Sequence, residues 1–308
     1  MSDAKSLGYL RYKTLNGLFQ KLINIRYAIV KGEVLSVTLY GKPGCRNSND
    51  VDILTDKKYV TIIENELKVQ GFKPLLENGQ NIREKRIFLM ANSHQTIQYG
   101  KLVESISVDV DVNFKVYWGE ANIQEDMYLF LSDTEKVDIY GCITKCLPIE
   151  KQLLHLCIHN YKDINSIYIL LRRKNPIHYR IFNEIRLLLE KVHLENRISK
   201  FIDIVICFKA QSYVYYMLYY TNMIENSDKI SAVLNLLKPY ADMSIMNSYG
   251  LSSDERKLWP CSFRERYEVD DMMPFIMSDL NNDDIKKIQT NLMYYKNWRT
   301  GGTYDKEL

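Results

Sequence analysis

Two pairs of aspartates, each split by one valine, are the residues in this chain best suited to chemistry: Asp50-Val51-Asp52 and Asp109-Val110-Asp111. Each pair sits among strand formers, Val51, Ile53 and Leu54 in one case and Val108, Val110, Val112 and Phe114 in the other. On a strand, side chains at i and i+2 share a face, so each pair projects its carboxylates together. Carboxylates held side by side repel unless a cation joins them. Neighbouring strands bearing both pairs would gather three or four carboxyl groups at one spot. Such an all-oxygen set suits Mg²⁺, a hard cation that usually binds along with substrate phosphates. The plainer reading of either pair alone is an acidic edge strand facing water.

The elements that must position these residues can be read from periodicity and punctuation. Ser107 to Phe114 alternates polar and apolar, the pattern of a half-buried strand with Asp109, Asp111 and Asn113 on one face. The turn residues Gly41-Lys42-Pro43-Gly44 precede the Asp50/Asp52 strand. Apolar positions Leu15, Leu18, Phe19, Leu22 and Ile23 predict a helix, and Tyr27–Val30 a buried strand running into Lys31-Gly32. Glu33 to Tyr40 fits helix or strand, its β-branched content favouring strand. Lys58 to Gln70 reads as an amphipathic helix stopped by Gly71, with further strands over Arg86–Met90 and Tyr99–Ile106.

After Pro148 the pattern turns helical, over Lys151–Asn160, Tyr168–Arg173, Ile177–Glu195, Ile198–Met223 and Ile230–Leu237. The expected fold is therefore α+β: a mixed β-sheet flanked by helices in residues 1–145, then a mainly helical region in residues 146–308.

A length of 308 residues, 46% hydrophobic and 26% charged, is that of a soluble globular chain with room for two cores. A net charge of +3 is too small for a dedicated nucleic-acid surface, so nucleic acid is not the favoured partner. The basic runs Arg83-Glu84-Lys85-Arg86 and Arg172-Arg173-Lys174 read as solvated faces, with contact to a phosphate-bearing substrate the alternative for either. The six cysteines form no Cys-x-x-Cys pair and read as reduced thiols. Met1-Ser2-Asp3-Ala4-Lys5 has no apolar signal region, and no apolar run reaches membrane length, so a cytoplasmic protein without a membrane partner is expected. The tail Gly301–Leu308 is expected to be loose, and its closing Lys-Glu-Leu is not read as an address. His155 and His159 stand at i, i+4 with Asp163 a turn on, a spacing open to Zn²⁺ but better read as a packed helix face. The tyrosines of Tyr213–Tyr220 read chiefly as inter-helix packing, with an aromatic acceptor pocket as the sharper alternative.

Taken in order, these residues resemble the uncharacterised-nucleotidyltransferase family of the polymerase-β-like nucleotidyltransferase superfamily. The resemblance rests on Tyr27-Ala-Ile-Val-Lys31-Gly32, Tyr40, Pro43-Gly44, Arg46, Asp50-Val-Asp52, Asp111-Val-Asn-Phe114 and Leu153-Leu-His155-Leu-Cys-Ile-His159. It favours a helix over Glu33–Tyr40. It implies a nucleotidyltransferase-like catalytic domain followed by a helical domain that binds the acceptor and closes over it. The implied activity is Mg²⁺-dependent transfer of a nucleoside monophosphate from an NTP to an acceptor hydroxyl or phosphate, on a small molecule, peptide or RNA. Asp50 and Asp52 would hold the metals that carry the triphosphate. Asp111 would complete the acceptor-side metal and take the acceptor's proton, with Asp109 as a substitute ligand. Lys31, Gly32 and Arg46 would meet the phosphates, with pairing to a neighbouring carboxylate the alternative for Lys31 and for Arg46. Two positions depart from the pattern: Glu33 replaces the superfamily's small residue, and Asn113 replaces the family's histidine. Glu33 motivates the rival reading, a catalytically inactive nucleotide-binding regulator, because its charge would repel a triphosphate.

Overall fold

The computed structural model describes residues 3–46, 48–76, 80–119, 121, 123, 125–284 and 286, without the side chains of Asp3, Ala4 and Arg172. The chain divides into two compact units, one built from residues up to Lys115 with Asp126–Cys146, the other from Val116–Glu125 and Leu147–Leu280. The expected loose tail lies outside the described residues.

In the first unit, α1 (Asp3–Lys21), β1 (Tyr27–Val30), α2 (Gly32–Tyr40), β2 (Asp50–Thr55), α3 (Val60–Val69), β3 (Lys73–Pro74) and α4 (Ile82–Asn92) follow one another. Then come β4 (Tyr99–Val103), β5 (Ile106–Asn113), α5 (Met127–Phe130), β6 (Glu135–Ile139) and β7 (Cys142–Cys146). The strands form one mixed sheet in the order β3-β4-β5-β2-β1-β7-β6. β2 lies at its centre, antiparallel to β1 and parallel to β5. One face of the sheet packs Ile29, Val51, Ile53, Val108, Val110 and Val112 against α1 (Leu15, Leu18, Phe19, Leu22) and α3 (Val60, Ile63, Leu67). Because strand side chains alternate, burying the valines on this face fixes the aspartates on the other.

Several local outcomes differ from the sequence-based expectations. Arg86–Met90 is not a strand but the middle of α4, started by Asn81, whose side-chain oxygen accepts from the N–H groups of Arg83 (2.8 Å) and Glu84 (3.3 Å). A short apolar run such as Ile87-Phe88-Leu89-Met90 fits either state, and the cap decided it. Glu33–Tyr40 is helical despite its β-branched residues, closed by Gly41 in the left-handed conformation with its N–H on Val37 O. The hairpin β6–β7 had no expected counterpart. Its two turn residues, Tyr140 (φ 56°) and Gly141 (φ 81°), both take the positive φ that a two-residue turn demands.

The second unit holds α6 (Ile149–Asn165), α7 (Ile167–Arg172), α8 (Tyr179–Leu194), α9 (Ile198–Cys207), α10 (Gln211–Glu225) and α11 (Asp228–Leu237). It ends with the small pair β8 (Ser248–Tyr249) and β9 (Lys257–Leu258), then α12 (Phe263–Glu268) and α13 (Met273–Met277). The single helix expected over Ile198–Met223 is two helices. Lys209 turns left-handed (φ 56°), and the N–H groups of Phe208, Lys209 and Ala210 close on α9's last carbonyls. The tyrosines of α10 pack as aromatic neighbours: Tyr213 lies 4.7 Å from Tyr161 and 5.2 Å from Trp118, and Tyr216 lies 5.0 Å from Tyr161. His155 and His159 stack 6.2 Å apart on α6, and His159 faces Asp163 at 3.6 Å.

Candidate active site

Strand pairing sets the site. In the parallel ladder between β2 and β5, Asp50 stands beside Asp109 and Asp52 beside Asp111. Register neighbours in adjacent strands are about 4.8 Å apart. The four residues thus form a two-by-two block on the sheet face opposite the hydrophobic core. Asp50 and Asp109 are partly exposed, while Asp52 (6% exposed) and Asp111 (3%) are buried. β5 is therefore not the half-buried strand that its alternation suggested, since Asp111 and Asn113 are covered as well.

Burying carboxylates demands partners, and these determine where the side chains go. Asp52 Oδ2 lies 3.0 Å from Lys31 Nζ, and Asp52 Oδ1 accepts from Asn113 Nδ2 at 3.3 Å. Asp109 Oδ1 accepts from Ser107 Oγ at 2.5 Å and lies over Gly100 of β4, where a Cβ would come within 3.0 Å of it. The expected gathering of three or four carboxyl groups at one spot is thus not what the side chains do. Lys31 draws Asp52 one way and Ser107 draws Asp109 another. Among the described residues, no three His, Cys, Asp or Glu side chains form a metal cage.

Beside this block, β1 ends at Val30, the register partner of Asp52, and the chain turns directly into α2. Lys31 (φ 58°, ψ −145°) and Gly32 (φ 43°) make that turn, and the Lys31 side chain makes no capping bond to the first amides of α2. A helix start carries orphan N–H donors and a partial positive charge, both suited to an anion. Gly32 is needed there for a second reason: a Cβ would come 3.1 Å from Ser48 Oγ.

The loop from Gly41 to Asn49 is held by residues that spacing alone did not single out. Ser36 Oγ donates to Lys42 O (3.0 Å) and accepts from Cys45 N (2.8 Å). Arg11, buried in α1, donates to Ser48 O, and Ser48 Oγ donates to Asp50 O at 2.9 Å. Glu33, only 5% exposed, accepts from Gly44 N (2.7 Å) through Oε2 and from the Tyr140 hydroxyl (3.1 Å) through Oε1. Gly8 of α1 makes room, for a Cβ there would collide with Glu33 Oε1 at 2.3 Å. Burial and the Glu33 charge hold the Tyr140 hydroxyl protonated well above its usual range. Burial, then the charges of Glu33 and Asp52, do the same to Tyr12. Glu33 is thus engaged with the loop and with Tyr140. Arg46 sits in that loop, partly exposed.

The described residues thus form a mixed seven-stranded sheet with flanking helices, followed by a helical region. Residues 5–224 match the family described as uncharacterised nucleotidyltransferase, and the chain belongs to that family. Similar solved structures include an antigenic nucleotidyltransferase-like protein from Paracoccidioides brasiliensis, 17% identical over 65% of this chain and 92% of its own, with a TM-score of 0.35. The lincosamide antibiotic adenylyltransferase LnuA is 15% identical over 57% of this chain and 94% of its own, with a TM-score of 0.33. The antibiotic-resistance factor ANT(2'')-Ia is 10% identical over 66% and 95%, with a TM-score of 0.37. No curated protein matches the chain. Among the described residues, no helix is long and apolar enough to cross a membrane.

Proposed function

We propose that this protein is a Mg²⁺-dependent nucleotidyltransferase that moves a nucleoside monophosphate from an NTP, such as ATP, to an acceptor hydroxyl or phosphate. The observation that carries this reading is the in-register block of Asp50, Asp52, Asp109 and Asp111 beside the start of α2, in a chain of this family. The donor set fits the metal. Mg²⁺ prefers oxygen ligands, keeps waters, and is usually held by one or two carboxylates plus substrate phosphates rather than by a closed protein cage. When bound, it would neutralise charge on the triphosphate and on the oxygens made and broken at phosphorus.

Asp50 and Asp52 are the ligands proposed for the nucleotide-carrying metal. Asp111 is proposed as the third ligand and as acceptor of the attacking group's proton. Asp109, one of whose oxygens takes the Ser107 hydroxyl, is proposed as its substitute. The acceptor oxygen forms its bond to the α-phosphorus, the bond to the bridging oxygen breaks, and pyrophosphate leaves. The amides at the start of α2, with Lys31 and Arg46, are proposed to bind the phosphates. Acceptor recognition is assigned to the helical unit, and the reduced thiols, all six free, suit a cytoplasmic setting.

The alternative is a catalytically inactive nucleotide-binding regulator of the same fold, motivated by the Glu33 carboxylate in the first turn of α2, and it predicts nucleotide binding without turnover. The test is incubation with α-labelled NTPs, Mg²⁺ and a panel of small-molecule, peptide and RNA acceptors, alongside Asp52→Asn and Asp111→Asn. Labelled product from the wild type and at least about a hundredfold less from either variant is expected. Equal labelling by Asp52→Asn would remove the assignment.

A further inference from the structure

Lys31 breaks two local rules. Its backbone (φ 58°, ψ −145°) lies in a region that is nearly reserved for glycine and is strained for a side-chain-bearing residue. It also places a cation at the start of α2, the positive end of the helix dipole, where its side chain makes no capping bond. Glycine would remove the strain, and Ser, Asp or Asn would cap the helix. The retained lysine has one evident use: its ammonium stands 3.0 Å from Asp52 Oδ2, on a carboxylate buried in an acidic block. The pair is shielded, with the Lys31 side chain 18% and the Asp52 side chain 8% exposed.

We propose that Lys31 is a resident counter-ion for Asp52, occupying the carboxylate until a divalent cation displaces it, and that the displaced ammonium then pairs with the nucleotide's phosphates. This rests on the nucleotidyltransferase reading and adds an exchange to it. The geometry supports the exchange because Lys31 follows Val30, the register partner of Asp52, and directly precedes the first amides of α2. Its flexible four-carbon stem lets a point charge swing from one to the other. The ammonium thus competes with a bare cation yet cooperates with a cation that brings phosphates.

That pairing predicts effects of opposite sign from one substitution. In Lys31→Met, binding of Mn²⁺ alone, followed by electron paramagnetic resonance, is expected to tighten about tenfold, because the competitor is gone. Binding of ATP at saturating Mn²⁺, followed by calorimetry, is expected to weaken about tenfold, because a charge-assisted contact is lost. Lys31→Gly guards against misfolding: it removes the ammonium, relieves the positive φ, and must show the same crossed pattern with a higher Tm than Lys31→Met. Mn²⁺ affinity that is unchanged or weaker in both variants, while the wild type still binds Mn²⁺ and ATP, would overturn the exchange alone. Wild-type protein that binds neither, or Asp52→Asn that binds both normally, would overturn the nucleotidyltransferase reading and the exchange with it.

Discussion

Removing the Tyr140 hydroxyl, as Tyr140→Phe, deletes one atom from the clasp that fixes the loop ahead of Asp50. The hydroxyl donates to Glu33 Oε1 at 3.1 Å, and Glu33 Oε2 at the same time takes the Gly44 amide at 2.7 Å. A hydrogen bond to a charged group contributes about 1.5–3 kcal/mol. Tyr140 is only partly buried, which places its bond near the low end, about 1.5 kcal/mol. Glu33→Gln keeps the shape but weakens both bonds, for a loss of about 2–3 kcal/mol. If the two groups act through each other, the double variant falls short of additivity by about 1 kcal/mol. In a domain of this size that shortfall is about 2–4 °C in calorimetric Tm.

The pH dependence carries a second sign. Burial first, then the Glu33 charge and hydrogen bond, raise the Tyr140 pKa above the ordinary tyrosine value of 10.0. A group raised on folding stabilises fully below its unfolded pKa, and that stability is lost as pH rises through the folded value. The wild-type advantage over Tyr140→Phe is therefore constant up to about pH 10 and shrinks above it. Losses that add to within about 0.3 kcal/mol, or an advantage that grows above that pH, would refute the clasp.

Three further perturbations follow from other contacts. Glu150, wholly buried on α6, is pushed upward by burial, but Lys200 and Arg197 (3.0 Å) outweigh this and leave its pKa below the ordinary 4.5. A depressed carboxylate stabilises above its unfolded pKa, so the advantage of wild type over Glu150→Gln, about 1–2 kcal/mol at neutral pH, should vanish as pH falls below 4.5 in urea-unfolding series. Arg266 is fully buried, with its guanidinium 4.6 Å from the Trp259 ring and 5.3 Å from that of Phe263, and among the described residues no carboxylate bridges it. Arg266→Ala should cost about 3–5 kcal/mol by leaving a cavity, whereas Arg266→Met should cost less than half of that, and chemical denaturation separates the two. Finally, EDTA should abolish label transfer and Mg²⁺ should restore it, whereas retention of activity in the chelator would exclude the proposed metal role.

The sheet was legible wherever the period-2 pattern ran long enough. Val108, Val110, Val112 and Phe114 declared β5's core face without further help, and the valine between each aspartate pair fixed the acidic face. Legibility failed where a single capping contact or turn residue decided the outcome. Asn81 made Arg86–Met90 helical, Lys209 cut one helix into two, and Tyr140 turned a hairpin that an Asn-Gly or Asp-Gly signature would have announced. The acidic block was visible as residue types on strands, but its register was not. Sequence separates Asp52 from Asp111 by two strands and a helix pair, and the non-local β2–β5 ladder brings them together.

The remaining failures share a physical cause, and it points back to the site. Lys31 at positive φ, Glu33 buried in the first turn of α2, and Asp52 and Asp111 buried side by side each violate the local preference of their residue type. Natural sequences are otherwise locally consistent, and departures from that consistency concentrate where function is built. Here they fall around the end of β1 and the ladder beside it, and three of the four are compensated by another of the set or by neighbours: Lys31 by Asp52, Asp52 by Asn113, Glu33 by Gly44 and Tyr140. A scaffold under selection only for stability would replace Lys31 with glycine and the buried acids with apolar residues, since buried ion pairs are commonly matched or exceeded by packed hydrophobic ones. Keeping all of them at one end of the sheet is costly for folding, and that cost is what a phosphate-and-metal site at this position would account for.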